Sequence, residues 1–282
     1  MWSDYGEAYS RRPLWGDWYI EDLLEKDCSG TVHAVTKGER NLPHSSVVKI
    51  CRFPSESLYR KAVSIFRNDA GKIAHYFEDT LEGIIYKLHL LSSMGNHDNI
   101  VNYYDYMLGR PEEGPGRIVI FRRDHAVPLD RYIQENPLTK DDVIRLGMEL
   151  CEALSYHLKR GAAQGYLRMD HVFVSQEGVF KLGDTFEQDL LGGKAPALPL
   201  FAAPEVLLKE NFDHTADIYT LGLIMYKLLN RGCLPFMPSP SEKPEPREIK
   251  RALARRGKKG PLPPPAQAGE ALGTLILKAC SG

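Results

Sequence analysis

The rhythm of apolar and polar positions changes near the middle of this chain. Up to about Phe121, apolar residues come in short β-branched runs, TVHAV, SSVVKIC, NIVNYYDYML and RIVIF, separated by polar and turn-forming residues, and each run predicts a strand. One long segment with helical spacing, from about Ala70 to Met94, interrupts them. From Leu138 onward helical spacing dominates. Thr139, supported by Asp142 in the first turn, predicts the cap of a helix that carries Val143, Gly147, Leu150 and Leu154 on one face. The stretch DIYTLGLIMYKLLNRG is apolar nearly all round and closes with Gly232 and Pro235, as a buried central helix does. A small α+β region followed by a helical one is the expected architecture.

Composition narrows the class. A chain of 282 residues with 43% hydrophobic and 26% charged residues can bury a sizeable core. Thirty-six basic against thirty-seven acidic residues leave a formal charge of -1, so overall charge favours neither nucleic acid nor an anionic membrane. Five cysteines without CxxC spacing argue against a disulfide framework or a zinc site, and a reducing cytoplasm is the expected location. The start, MWSDYGEAYSRRP, has no signal-peptide pattern, and no apolar stretch is long enough for a membrane span. Two Pro-rich loops flank a basic segment with Arg255, Arg256, Lys258 and Lys259, which reads as a solvated face because no aromatic residues interleave with it.

The order of motifs narrows the fold. A degenerate glycine loop, a lysine in VVKI, a helix and NIV precede Gln164–Phe186, QGYLRMDHVFVSQEGVFKLGDTF; AAPEVL, ADIYTLG and LLNRGCLPF follow it. This ordered set resembles a protein kinase domain, most of all those of bacterial Ser/Thr kinases, over essentially the whole chain from Trp15. The resemblance implies an α+β, protein kinase-like bilobal fold with a small β-rich N-lobe and a larger helical C-lobe. Its expected boundaries are an N-terminal extension over 1–14, the N-lobe over 15–123 and the C-lobe over 124–282, the last cut short at its C-terminal end. It further implies ATP between the lobes, Mg²⁺ on a DFG aspartate and a catalytic-loop asparagine, and an HRD aspartate orienting the acceptor hydroxyl.

Position by position, the chain departs from that pattern. The G-x-G-x-x-G-x-V loop falls on EKDCSGTV, where Glu25 and Asp27 replace two glycines and only Gly30 survives; acidic side chains there bring bulk and negative charge toward a polyanion. An ordinary hairpin is the better reading of that segment. Lys49 matches the lysine that pairs with the nucleotide phosphates, but its glutamate partner falls on Lys87, and Glu82 is more than one turn away; alternatively Lys87 sits on a solvated face in a shifted register. The HRD triplet falls on Gln164, Gly165 and Tyr166, the catalytic-loop lysine on Arg168 and the metal-binding asparagine on His171. A phenol of ordinary pKa about 10 is a poor acceptor for a hydroxyl proton at neutral pH, and imidazole is a ligand that Mg²⁺ does not favour. Asp170 lies nearby as a displaced base. Asp184 keeps the DFG aspartate position while Thr185 and Phe186 replace its neighbours. Arg123 falls at or beside the gatekeeper position, where a guanidinium opposes adenine. The segment from Asp184 to Glu205 has no serine or tyrosine and only Thr185, so no activation-loop phosphosite is expected. Pro204, Glu205, Asp217 and Gly222 match architectural positions, and Asp217 reads as a helix cap; the family's arginine partner for Glu205 falls beyond the last residue.

The expectation is a kinase fold without kinase chemistry: a pseudokinase that works by protein binding, scaffolding or allosteric control, with an active kinase as one candidate partner. No catalytic residue is expected at the degenerate positions Tyr166, Arg168 and His171. Gly30, Lys49, Lys87, Arg123 and Asp184 mark a vestigial nucleotide site. No cofactor and no metal are expected, with Asp184 the ligand if a metal binds. The alternatives are a weakly active ATP-dependent Ser/Thr kinase or an unusual nucleotidyl transferase, using Lys49 and Asp184 with ATP and Mg²⁺, and between them a sensor that binds ATP without hydrolysing it.

Overall fold

The computed structural model of the chain describes residues 18–26, 30–37, 46–93, 96–109, 117–159, 167, 169–183, 200–208, 213–238, 245–257 and 261–281. They form two compact units. The first takes described residues from 18 to 126 other than 98–100; the second takes 98–100, 127–183 and those from 200 onward.

The first unit is an antiparallel five-stranded sheet of β1 (Trp18–Lys26), β2 (Gly30–Lys37), β3 (Ser46–Phe53), β4 (Tyr103–Gly109) and β5 (Arg117–Asp124), in the order β1-β2-β3-β5-β4. Side chains alternate between its faces. Ile20, Val35, Val48, Ile50, Ile118 and Ile120 form one core cluster. Each such side chain contributes about 1.5–3 kcal/mol when fully buried, so Val48→Asp would remove the apolar contribution and bury an unpaired carboxylate in its place. β3 lies between β2 and β5, and seven of its eight residues are buried. Lys49 is one of them.

The long helical segment is α2 (Ala70–Ser93), which buries Ile73, Ile84, Leu88 and Leu91. Before it stands a second helix, α1 (Glu56–Phe66), within the region whose apolar runs predict strands. It buries only Leu58 and Ala62, too narrow a stripe to stand out by periodicity. Its signal was the cap: Ser55 Oγ accepts from the Leu58 N–H at 3.2 Å. Aromatic pairs then hold α1 to α2, with Tyr59 and Phe77 stacked at 6.1 Å and Phe66 and Tyr76 at 5.5 Å.

The second unit holds a three-stranded sheet, β6 (Ala126–Pro128), β7 (Val172–Ser175) and β8 (Phe180–Leu182), with helices α3 (Leu129–Glu135), α4 (Lys140–Lys159), α5 (Pro204–Leu207), α6 (Thr215–Leu228), α7 (Pro246–Arg256) and α8 (Glu270–Ala279). The predicted α4 cap is present. Thr139 Oγ1 accepts from the Asp142 N–H at 3.2 Å, and the Asp142 carboxylate accepts from the Thr139 N–H at 2.9 Å. The predicted face of Val143, Gly147, Leu150 and Leu154 is buried, and Gly147 lets α6 approach: a Cβ there would stand 2.9 Å from Met225 Sδ. α6 is buried almost all round, from Ala216 to Tyr226 except Ile218. A β-rich unit and a helical unit together make the α+β, kinase-like bilobal class that the motif order implied.

Two local readings are corrected. Asp217 is not the α6 cap, because the Asp213 carboxylate takes the Thr215 N–H at 2.8 Å and Asp217 faces inward. The basic segment is not one solvated face. Ala252 and Arg256, four residues apart on α7, share its buried side, and Arg256 Nη2 donates to the Leu200 carbonyl. Burial lowers the Arg256 pKa. Arg255 instead lies 4.0 Å over the Phe236 ring, and Lys258 and Lys259 fall outside the described residues. Among the described residues, no helix is long and apolar enough to cross a membrane.

Candidate functional site

In the first unit, strand register decides which candidates share a face. β3 pairs Val47 with Arg123 and Lys49 with Phe121, and β2 sets Val32 opposite Lys49, so Val32, Val47, Lys49, Phe121 and Arg123 project to the same side. Two cations therefore sit diagonally on one sheet face, Lys49 2% exposed and Arg123 4% exposed. Burying a charge is costly unless strong acceptors surround it. Arg123 has them in the backbone that follows it. Its Nη1 donates to the Asp124 carbonyl at 2.9 Å and to the Ala126 carbonyl at 3.3 Å. A guanidinium suits this, because its donors stay charged and form a fixed fork.

A polar network with no signature in the motif order surrounds this turn. The Asp124 carboxylate accepts from the Asn102 N–H at 3.1 Å, from Asn102 Nδ2 at 3.0 Å and from the Tyr104 hydroxyl at 2.5 Å. Burial first, and then that bond to Asp124, raise the Tyr104 pKa, so the phenol stays protonated and donates. Arg122 bonds the Asp105 carboxylate at 2.7 Å and lies 4.3 Å from the Trp18 ring and 4.4 Å from the Tyr104 ring. The signal available was a cluster of charged residues, Arg122 to Asp124, ending an otherwise apolar strand.

Gly30 has a packing reason to be glycine. It pairs with Cys51 across the β2–β3 ladder, and a Cβ on it would stand 2.0 Å from the Ile50 carbonyl oxygen. Glu25 pairs with Val32 across the β1–β2 hairpin, and Asp27 falls outside the described residues. Lys87 is half-buried on α2, beside the buried Leu88 and one turn from Ile84, with Tyr86 and His89 next to it exposed.

In the second unit, a different set of candidates is brought together. His171 closes a one-turn helix, Met169–His171, and is buried. Its carbonyl accepts from the Gly183 N–H at 2.7 Å, and Gly183 is pressed against Phe173, whose ring leaves no space for a Cβ. Asn99 fixes the same hairpin from outside: its carbonyl accepts from the Leu182 N–H at 2.8 Å and its Nδ2 donates to the Phe180 carbonyl at 3.3 Å. Asp217, 3% exposed, accepts from the Leu167 N–H at 3.1 Å, which ties the residue after Tyr166 to the start of α6. Lys227 lies 3.7 Å from Met169 Sδ and 5.7 Å from the Phe201 ring centroid; burial lowers its pKa. Tyr166, Arg168, Asp184 and the side chain of Asp170 fall outside the described residues. Among the described residues, no group of three or more His, Cys, Asp or Glu side chains is placed to hold a metal ion.

Fold, motif order and the Asp217 tie define a protein kinase domain, and comparison with known proteins agrees. The family model described as protein tyrosine and serine/threonine kinase matches residues 72–281, and the chain belongs to that family. It is 29% identical over 189 residues to serine/threonine-protein kinase Pkn1 of Myxococcus xanthus, covering 62% of this chain and 26% of that protein. It is also 31% identical over 117 residues to CBL-interacting serine/threonine-protein kinase 1 of Arabidopsis thaliana, covering 38% of this chain and 26% of that protein. A third similarity, 26% identity over 152 residues, is to the probable serine/threonine-protein kinase nek3 of Dictyostelium discoideum, covering 13% of it. The matched stretches thus span about a quarter or less of these relatives.

Proposed function

We propose that this chain is a pseudokinase, a kinase domain that acts by binding a protein partner and not by transferring phosphate. The observation that carries the reading is Arg123. Kinase adenine pockets are lined by the backbone just after the gatekeeper, and here the carbonyls of Asp124 and Ala126 already accept from a buried guanidinium of the same chain. A buried cation with its own acceptors replaces the ligand that the resemblance implies, so ATP fits poorly on this reading. The phosphate end supports it. Glu25 and Asp27 stand where glycines would approach the phosphates, and Gly30 is accounted for by its contact with Ile50. His171, at the asparagine position, is buried. The partner is a protein, with an active kinase as the first candidate; nucleic acid and membrane have no corresponding surface in the charge pattern.

A second reading, a weakly active Ser/Thr kinase or a nucleotidyl transferase, is favoured by Lys49, which lies buried on β3 at the position of the family's phosphate lysine, and by the printed names of the relatives. One measurement separates the two. Ligand at a hundred times its Kd stabilises a fold by about 2.7 kcal/mol, visible as a rise in Tm. No rise is expected with millimolar ATP, with or without Mg²⁺ or Mn²⁺. A clear rise, together with label transfer from radiolabelled ATP that disappears in Asp184→Asn, would establish the second reading instead.

A further inference from the structure

Helix α7 carries uncompensated positive charge on its outer side. Arg247, Lys250 and Arg251 are exposed, and the helical repeat sets them opposite the buried Ala252 and Arg256. Arg255 flanks them, its guanidinium 4.0 Å over the Phe236 ring. From Arg247 to Arg255 the row spans about 12 Å along the helix. Among the described residues none of the four makes an ion pair, and the two carboxylates at the start of the helix, Glu245 and Glu248, are engaged with backbone in a capping box. The chain does pair such groups elsewhere: Arg145 on α4 meets Asp142 and Glu149.

A second cation points the same way. Lys227 on α6 is half-buried, yet its Nζ has a thioether, Met169 Sδ at 3.7 Å, and the Phe201 ring at 5.7 Å where a carboxylate would serve it better. Burial works against its charge, and Asp130 supports that charge only through space. An ammonium in such surroundings gains most from an anion brought to it. The chain links this place to α7. Phe201 lies by Lys227, and the carbonyl of its neighbour Leu200 accepts from Arg256. Lys227 and α7 therefore border the same two-residue stretch.

We propose that α7 and Lys227 form a docking track for an acidic segment of a protein partner, whose Asp and Glu carboxylates meet Arg247, Lys250, Arg251 and Lys227 while apolar residues between them lie over Phe201 and Phe236. Charge complementarity selects the occupant: unpaired guanidinium groups take carboxylates in bidentate fashion, and a row of them reads acidic motifs. The recessed position of Lys227 favours a carboxylate on a flexible side chain over the fixed phosphates of a nucleic acid. A bilayer is disfavoured because α7 turns its apolar side, Ala252 with the half-buried Ile249 and Leu253, toward its own unit and has no second apolar face to insert.

The test uses the full chain without nucleotide and a fluorescein-labelled peptide of repeated Glu-Glu-Leu units, read by anisotropy. Micromolar binding is expected, weakening as salt is added. Arg247→Glu, Lys250→Glu and Arg251→Glu together, all at exposed positions, are expected to weaken it about tenfold or more with an unchanged circular dichroism spectrum. Lys26→Glu, Lys37→Glu and Lys72→Glu together make the same change of charge on the first unit and should leave binding nearly as it was. Lys227→Gln is expected to weaken binding by a factor of about three, and Lys227→Arg to keep it. No binding of the peptide overturns the proposal, as does binding that survives the α7 changes, falls equally with the first-unit changes or ignores Lys227→Gln. Tighter binding of a single-stranded oligonucleotide of equal charge, or of phosphatidylserine vesicles, lost with the α7 changes, overturns it in favour of that partner. The proposal names the chemistry of the partner in the reading above and rests on that reading, but the two fail separately: that reading on a rise in Tm with ATP, this one on the peptide.

Discussion

Arg123 at the end of β5 and Asp217 at the start of α6 are both buried charges bonded to backbone, yet they serve opposite ends. Asp217 accepts from Leu167, fifty residues away in sequence, and so fixes one segment on another. Arg123 donates to carbonyls one and three residues away and so closes its own turn on itself. The first is a tie that a kinase fold requires whatever its chemistry. On the function proposed above, the second stands where the family resemblance places backbone that a nucleotide would use. A buried charge with local acceptors fixes one turn, while a buried charge with a distant partner joins separate segments of a fold.

The comparison breaks first on Asp217. Removing its carboxylate leaves the Leu167 N–H buried without its acceptor, and hydrogen bonds to charged groups are worth about 1.5–3 kcal/mol, with more lost when a buried donor is stranded. Asp217→Ala is expected to cost about 3 kcal/mol in urea unfolding, and Asp217→Asn less, since an amide oxygen can still accept. Equal, small losses in the two variants would mean that Asp217 is not a structural tie.

Arg123→Met ranks second. Two carbonyls lose a charged donor but remain able to bond each other's neighbours or water, so a cost of about 1–2 kcal/mol is expected. The same variant tests the closed turn directly. Adenosine, which carries no phosphate and so avoids Glu25 and Asp27, is expected to raise the Tm of Arg123→Met and not that of wild type. Failure to bind adenosine in both would leave the turn closed by something other than the guanidinium.

What was legible in the sequence follows the same division. The fold was readable because apolar periodicity and cap chemistry are local: the Thr139–Asp142 cap and the Val143–Leu154 face of α4 were both visible. α1 was not, since two buried residues make no stripe. Asp217 was placed at the right spot and given the wrong job, because Asp213 already serves the helix start and only the three-dimensional path of the chain brings Leu167 over α6. Arg256 looked like one cation in a basic run; its i–4 neighbour Ala252 was the clue that it faces inward. At the candidate site, motif order set Lys49, Arg123 and His171 at family positions, and the structure shows all three buried. Motif order could not show that Asp124, Asn102 and Tyr104 form a network, because those bonds depend on β4 pairing with β5.

A third test probes the α6 side by pH. Cys280, packed against α6 where a Cβ on Gly222 would stand 2.7 Å from its Sγ, has its pKa pushed up by burial to about 12, and burial pushes Tyr219 up to about 12 as well. Raised pKa values mean that the folded form holds these protons more tightly than the unfolded one. Their stability contribution is full below the unfolded values and falls as pH climbs toward 12. From pH 9 upward the free energy of urea unfolding is therefore expected to drop, by about 1 kcal/mol per pH unit for each group between its unfolded and folded pKa. Cys280→Ala should flatten the first part of that slope, between the ordinary thiol value and the tyrosine range. A slope unchanged in the variant would place its origin elsewhere.

The smallest expected effect is at Lys87. The family resemblance sets a glutamate there, paired with the lysine on β3, and the first unit holds Lys49 at 2% exposure while Lys87 is half-buried on the flank of the α2 stripe. Lys87→Glu exchanges one charge for another on a partly wet helix face, where an ion pair gains little after solvent screening and side-chain ordering. If the family register holds, attraction to Lys49 offsets whatever contact Lys87 gives up, and the net change should stay within about 1 kcal/mol. Lys87→Ala, which cannot form the pair, should then be no more stable than Lys87→Glu. The reverse order, with alanine clearly the more stable of the two, would mean that position 87 does not face Lys49, and that the buried lysine on β3 is held by other acceptors of its own unit.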